Sequence, residues 1–308
     1  MLTHMDDVEE SERRFGHIWA LRQLLGAAAG AREIGLSRWR IEAEGRVCSP
    51  AHVHFDEEEI FYVLDGTGFA QAGRRAYAIS AGDAVVFPAG GRPHTVFGGP
   101  IELLAFASGS STRLTYLPRS KTMWAGPTWL PLDGGHPFDA EAELGPLELG
   151  EVVDPADERP SWIVGLTEVE AMPIAHGDRD EVRTDLGSAA GSRLSGLRHI
   201  AIAPDAEGAP PHCHTAEEEL FVVLDGDGTL RLGDQEHPVR AGSIVARPAG
   251  TGVAHSFRAG GQGLTLLAYG QRDPRDAVFF PRSSTLRMAG LGGLTFRVEP
   301  VDPRGGAL

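Results

Sequence analysis

The sequence predicts an all-β fold of two tandem domains, and three observations carry that prediction. One pattern occurs twice: His52-Val53-His54, Glu59 and Gly66 return as His212-Cys213-His214, Glu219 and Gly226, each 160 residues later. Gly82 and Pro88 return at the same offset as Gly242 and Pro248, and His94 returns one residue further on as His255. A pattern that keeps its gaps over this length marks two copies of one folding unit. The second observation is turn chemistry: 40 glycines and 21 prolines supply the tight turns of an all-β chain. The third is run length, because segments such as Glu59 to Leu64 and Ala84 to Phe87 are short, alternating or fully apolar, and stop at glycine or proline.

Taken in order, the chain opens with MLTHMDDVEESERR, acidic and polar, without the apolar run of a signal peptide. Between residues 5 and 26, Val8, Phe15, Ile18, Trp19 and Leu25 form a loose apolar stripe that predicts a short N-terminal helix packed on its own barrel. The repeat starts near Gly26-Ala27-Ala28-Ala29-Gly30 and Gly35-Leu36, echoed by Gly187-Ser188-Ala189-Ala190-Gly191 and Gly196-Leu197. Strands follow, separated by turns at Asp65-Gly66, Ala72-Gly73, Ala81-Gly82 and Ala89-Gly90. With no helical pattern between them, an antiparallel sandwich or barrel fits and a βαβ fold does not. The repeat runs on to Tyr116-Leu117-Pro118-Arg119-Ser120, which resembles Phe279-Phe280-Pro281-Arg282-Ser283. A stretch rich in Pro, Gly and acids from about Pro131 to Pro160 reads as a linker and places the domains at 1–150 and 151–308. Each half is long enough to bury a core.

A formal net charge of −15, with no Lys/Arg block to offset it, repels phosphates and anionic lipid, so neither nucleic acid nor membrane is expected as a partner. No apolar stretch is long enough to span a bilayer. Two cysteines, Cys48 and Cys213, cannot build a disulfide framework, which predicts a reduced, cytoplasmic protein. A small-molecule substrate is the expected partner, and no Ser/His/Asp order, Gly-rich phosphate loop or CxxC pair points to nucleophilic or nucleotide chemistry.

Side chains two apart on a strand share a face, so His52 projects with His54 and His212 with His214, while Val53 and Cys213 face the other way. Cys213 is therefore not expected as a ligand, and Cys48 would approach the first site only if its strand ran unbroken through Pro50. Glu59, at the start of the next strand, and His94, after the turn Pro88-Ala89-Gly90, complete a set of three imidazoles and one carboxylate. Such a set suits a divalent transition metal, Fe, Mn, Ni, Co, Cu or Zn, at each of two sites, and leaves positions open for substrate or dioxygen. Glu59 is chosen from Asp56-Glu57-Glu58-Glu59 because it and Glu219 stand seven residues before the closing Gly66 and Gly226. The remaining acids read as a solvated turn, with Glu58 or Glu218 as an alternative supporting acid for a ligand. His4, His17, His136, His176, His199 and His237 lack ligand spacing and read as surface or core packing.

Both copies resemble the cupin superfamily. Its first motif, G-x5-H-x-H-x3–4-E-x6-G, matches His52, His54, Glu59 and Gly66, then His212, His214, Glu219 and Gly226. Its second, G-x5-P-x-G-x2-H-x3-N, matches Gly82, Pro88, Gly90 and His94, then Gly242, Pro248, Gly250 and His255. The last gap is longer by one and two residues, the leading glycine spacing differs and the terminal Asn is absent, departures that fall in loops. The resemblance implies a bicupin of two jelly-roll β-barrels whose metal ligands are His52, His54, Glu59 and His94, and His212, His214, Glu219 and His255. It also implies a homodimer, since such barrels often pair through sheet edges.

Phe61, Phe69, Phe87, Phe97 and Trp39, on or near the first site's strands, predict an aromatic cavity for a planar substrate. In the second half Arg247 replaces Phe87 and Arg258 follows His255, which suits an anion, while Arg119 and Arg282 read as structural bridges. Bicupin relatives include quercetinase-type and gentisate dioxygenases and oxalate decarboxylases. Gentisate-type sites generally lack the glutamate. Oxalate decarboxylases usually carry an arginine shortly before the H-x-H, where this chain has Ser49-Pro50-Ala51 and Ala209-Pro210-Pro211. The expectation is an oxygenase-type reaction on a small apolar, aromatic or enolic substrate, with Glu59 and Glu219 as catalytic carboxylates. A non-catalytic small-molecule-binding bicupin and a metal-dependent isomerase or decarboxylase are the alternatives.

Overall fold

The structure, a computed structural model, describes residues 1–109, 113–126, 128–130, 136–154 and 158–299. Residues 131–135 and 155–157 of the expected linker lie outside these. The all-β expectation holds: among the described residues each half is built on one large, mostly antiparallel sheet system, of ten and eight strands, and one four-stranded sheet. Among the described residues no helix is long and apolar enough to cross a membrane.

Long strands form the backbone of each half. Glu59–Ala72 pairs with Ile101–Ala107, Arg75–Ser80, Asp83–Phe87 and His94–Phe97, and Glu219–Leu232 makes the corresponding pairings. Glu59–Ala72 is apolar in a run because both of its faces are covered. Phe61 and Val63 enter the barrel interior, while Ile60 and Tyr62 join a core shared with the other half. Gly66 closes the motif for a steric reason. Its φ is +79°, and a Cβ there would stand 2.1 Å from the Pro100 carbonyl oxygen, as one at Gly226 would stand 2.1 Å from that of Gly263.

The halves exchange edges. Leu2–His4 pairs with Ser243–Arg247 of the second half, Leu2 opposite Val245. Ile163–Gly165 pairs with Asp83–Phe87 of the first, Ile163 opposite Val85. Glu151–Val153 also joins the first-half sheet, beside Arg75–Ser80. Between the barrels lies a core contributed by both, including Ile60, Phe106, Leu220 and Tyr269, with Phe106 stacked on Tyr269 at 4.8 Å.

Residues 5–26 depart from the expected helix. Met5–Asp7 is a 3-10 turn, Glu10–Phe15 and Ile18–Gln23 form a hairpin, and the α-helix is confined to Leu25–Ala29. Phe15, Ile18 and Trp19 fit both periodicities, and Gly16, at φ +58°, makes the tight turn that decides for the hairpin. Ser11, Arg13, Phe15, Ile18, Ala20 and Arg22 then share one face, as their cross-strand partners require.

The acid runs also depart from expectation. Glu57, Glu58 and Glu218 are buried rather than solvated. Glu58 accepts hydrogen bonds from Ser192 Oγ, the Arg193 and Ser195 N–H groups and Ser195 Oγ in the other half. Glu218 reciprocates by accepting from the N–H groups of Arg32, Glu33 and Ile34. These acids clamp barrel to barrel. Arg119 is a bridge as expected, with Nη2 donating to the carbonyls of Leu144 and Gly145 at 3.1 Å, whereas Arg282 is exposed.

Candidate metal centres

In the first barrel His52, His54, Glu59 and His94 converge, their ligand atoms all within 4.8 Å of one another. His52 and His94 are held by reciprocal backbone hydrogen bonds of 3.1 and 2.9 Å, and His54 lies on the two-residue strand paired with Tyr116 and Thr115. Glu59 Oε2 is 3.0 Å from His94 Nε2 and 3.4 Å from Nε2 of both His52 and His54. His52 Nδ1 is 2.8 Å from the Pro50 carbonyl, and His94 Nδ1 is 3.2 Å from that of Arg92. With Nδ1 donating to these carbonyls, the Nε2 of each ring would turn a lone pair to a cation held in the site. Thr115 Oγ1, 3.0 Å from Nδ1, orients His54.

The charges are coupled. Burial opposes protonation of His54, but Glu59 and Glu57 outweigh it and raise its pKa to about 10. Burial lowers His94 to about 4, against the opposing pull of its hydrogen bond to Glu59. Burial would raise Glu59, yet the surrounding histidines, His54 foremost, hold it well below the usual carboxylate range.

The second barrel repeats the arrangement less tightly. His212, His214 and Glu219 form a group within 4.8 Å, and His255 joins through Glu219, its Nε2 3.0 Å from Oε2. Both of those atoms are buried, and neither has a hydrogen-bond partner. A buried carboxylate oxygen and a buried imidazole nitrogen left without a hydrogen bond are what a bound cation would satisfy, so the donor set fits a metal. His214 Nδ1 is held by Asp276 at 2.8 Å, which with Glu217 forms a further group of possible ligands around His214. Burial pushes His212 down to about 4. Burial also opposes protonation of His214, but its bond to Asp276 outweighs that and raises it to about 8. Asp276 was invisible in the sequence, because it lies far outside both motifs.

The cavities differ from the expected ones in their walls. A space of about 440 Å³ opens on His52, His54 and Glu59 in the first barrel. Trp39 and Phe61 line it as expected, joined by Trp124, Trp129 and Phe138, and by Arg13 and Arg22 from the N-terminal hairpin. Phe87 instead stacks on His94 at 4.1 Å. Phe69 and Phe97 stack on each other at 5.2 Å and border a separate cleft. Cys48 lines the cavity although its segment is no continuous strand, because a bend before Pro50 carries it there. His136 also lines it, stacked on Phe15 at 4.8 Å. Cys213 stands outside the ligand groups, as its strand face predicts.

In the second barrel the corresponding interior, bordered by Arg183, His212, Phe221 and His255, is only about 30 Å³. A larger polar space of about 500 Å³ reaches His214 and Glu219 from another side, past Arg198, Arg272 and Arg287. The two expected arginines do not line it. Arg247 stands opposite Glu219 but donates to the Val253 carbonyl at 2.8 Å. Arg258, three residues beyond His255, is exposed on the opposite strand face.

The family model described as a cupin domain matches residues 39–104 and 198–268. No curated protein matches the chain by sequence. Among solved structures, the oxalate decarboxylase of Lactobacillus farciminis in its formate complex aligns with a TM-score of 0.61 at 15% identity, covering 91% of this chain and 88% of that one. A deletion mutant of the Bacillus subtilis oxalate decarboxylase aligns at 0.58 and 17% identity, covering 87% and 76%. Likeness at this identity is one of fold. With the motif matched in each half and both barrels present, the chain belongs to the cupin superfamily as a two-domain bicupin.

Proposed function

We propose that the protein is a metal-dependent enzyme whose first barrel performs oxygenase-type chemistry on a small planar organic substrate. One observation carries this reading: the four-ligand group of the first barrel opens onto an aromatic-walled cavity of about 440 Å³, the size of a small-molecule site. A divalent transition metal held there would supply Lewis acidity and a position for dioxygen beside the substrate. His52, His54 and His94 would hold it through Nε2, and Glu59 through its carboxylate. Trp39, Phe61 and Phe138 would orient the substrate ring and exclude water. Glu59 serves first as ligand and second as proton acceptor, with Glu219 its counterpart in the second barrel. The test is metal analysis of the purified protein combined with an oxygen electrode and a panel of enols, flavonols and catechols. Oxygen uptake that chelation abolishes and one metal restores is the expected result. Bound zinc with no oxygen uptake by any compound would overturn the reading in favour of a binding protein or an isomerase.

A redox-neutral lyase acting on a small carboxylate is the second reading, favoured by the polar space beside His214 and Glu219 with its three arginines. The Bacillus subtilis oxalate decarboxylase, similar in fold, has Mn(II) centres. Release of carbon dioxide from a dicarboxylate without oxygen consumption distinguishes this reading from the first.

A further inference from the structure

The first cavity holds two positive charges that the metal ligands do not explain. Arg13 and Arg22 lie on the inward face of the N-terminal hairpin, Arg13 opposite Ala20, and Arg22 opposite Ser11 on one side and Trp39 on the other. Arg22 donates to Ser37 Oγ through Nε and Nη2, at 3.2 and 3.0 Å. Arg13 has no hydrogen bond or ion pair with any described residue; its guanidinium lies 4.7 Å from the Trp39 ring centroid and 4.8 Å from that of Phe138. Ring contacts of this kind offset part of the desolvation and leave the N–H fork for an acceptor. Burial, then the charge of Arg22, lowers the Arg13 pKa to about 10, so the group remains charged at neutral pH.

The second barrel shows what belongs beside such arginines. At an offset of 161 residues, Arg13, Ala20, Arg22 and Trp39 correspond to Ile174, Glu181, Arg183 and Ile200, and the strand registers agree, with Ile174 opposite Glu181 and Arg183 opposite Ile200. Glu181 is 1% exposed and pairs with Arg183 Nε at 2.6 Å and with Arg179. That carboxylate helps to reduce the second interior to about 30 Å³. The first barrel has alanine at this position, and the space stays open. Its nearby acids are engaged elsewhere: Glu10 by Arg40, Glu12 by the Trp19 indole and Glu59 by three histidines.

The geometry points to an organic carboxylate with a planar, ring-bearing body as the ligand of the first cavity, its carboxylate taking beside Arg13 and Arg22 the place that Glu181 fills in the second barrel. This rests on the reading of the first cavity as the substrate site and narrows its substrate class. A guanidinium fork receives a carboxylate through two parallel N–H bonds, which fixes orientation as well as charge.

The test uses the full chain after chelator treatment, with benzoate as probe and benzyl alcohol as its neutral analogue. Binding is read from the fluorescence of Trp39, Trp124 and Trp129, all at the cavity wall. Benzoate should bind at least about tenfold more tightly than benzyl alcohol, a preference typical of a charge-assisted contact. Arg13→Gln should abolish the preference while benzyl alcohol still binds. If Arg13→Gln does not fold, Ala20→Glu serves instead, since it supplies the internal carboxylate of the second barrel and should remove benzoate binding. Equal affinity for the two probes, no saturable signal with benzoate, or a preference that survives the folded variant overturns the assignment. Because metal is absent from this measurement, failure of oxygen uptake leaves its result standing. Conversely, an enzyme that consumes oxygen without a carboxylate preference loses only the anchor.

Discussion

Replacing Glu58 by alanine should destabilise the whole molecule, although the residue touches no candidate metal ligand through its carboxylate. Glu58 is 1% exposed, and its carboxylate receives the Arg193 N–H at 2.8 Å, the Ser195 N–H at 3.2 Å and two serine hydroxyls. Truncation leaves these donors facing a dry gap between the barrels. The hydroxyls can rotate, and Ser192 Oγ already has the Ser195 carbonyl at 2.6 Å, so the two backbone N–H groups carry most of the cost. At about 1–3 kcal/mol for each orphaned group, the loss is about 4 kcal/mol. For a chain of this length that corresponds to a fall of roughly 6 °C in Tm. Glu58→Gln keeps the shape and one carbonyl oxygen and should cost about 1–2 kcal/mol. Glu218→Ala, which frees three N–H groups on the other side of the interface, should cost at least as much as Glu58→Ala. Calorimetry and urea titration provide the measurements, with exposed Glu170→Ala as a control expected within about 0.5 kcal/mol of wild type. A Glu58→Ala protein that melts with the control would refute the clamp.

Four further outcomes are expected. His52→Ala and His212→Ala should each lower the metal content of fully loaded protein by about half, as read by elemental analysis; an unchanged content removes that barrel as a site. Glu59→Gln should reduce turnover by about two orders of magnitude or more while Glu219→Gln costs less, and the reverse order would move catalysis to the second barrel. Burial, then Arg119, lowers the pKa of His17, so the unfolded chain takes up that proton first and stability present above about pH 6.5 falls as pH drops. His17→Phe should therefore lose less Tm than wild type between about pH 7.5 and 5.5, and equal losses would exclude His17 as a cause. Light scattering should return twice the chain mass of 32.8 kDa if exposed sheet edges pair two copies, and a monomer mass rejects that pairing.

Much of the candidate site was legible because its information is local. The two-residue spacing of His52 and His54 places both rings on one face of a strand, and the closing Gly66 marks a backbone position that has no room for a Cβ. The N-terminal hairpin was less legible, since Phe15, Ile18 and Trp19 satisfy a helical stripe as well as a strand pair until the turn at Gly16 is formed. The acid runs misled for a similar reason. Asp56-Glu57-Glu58-Glu59 has the composition of a solvated turn, and only the approach of the other barrel makes Glu58 a buried acceptor.

By itself, the sequence determined the duplication, the all-β class and the histidines and glutamates gathered at each centre, because turn residues and side-chain alternation act over a few residues. Tertiary structure decided which walls enclose those centres. Arg13 and Arg22 reach the first cavity through strand register, and Glu181 fills the second barrel where Ala20 leaves the first open. The exchange of Leu2–His4 and Ile163–Gly165 between the halves was likewise settled by pairing across the sheets. Such contacts join residues far apart in the chain, so burial, charge pairing and cavity volume depend on a register that no local spacing encodes.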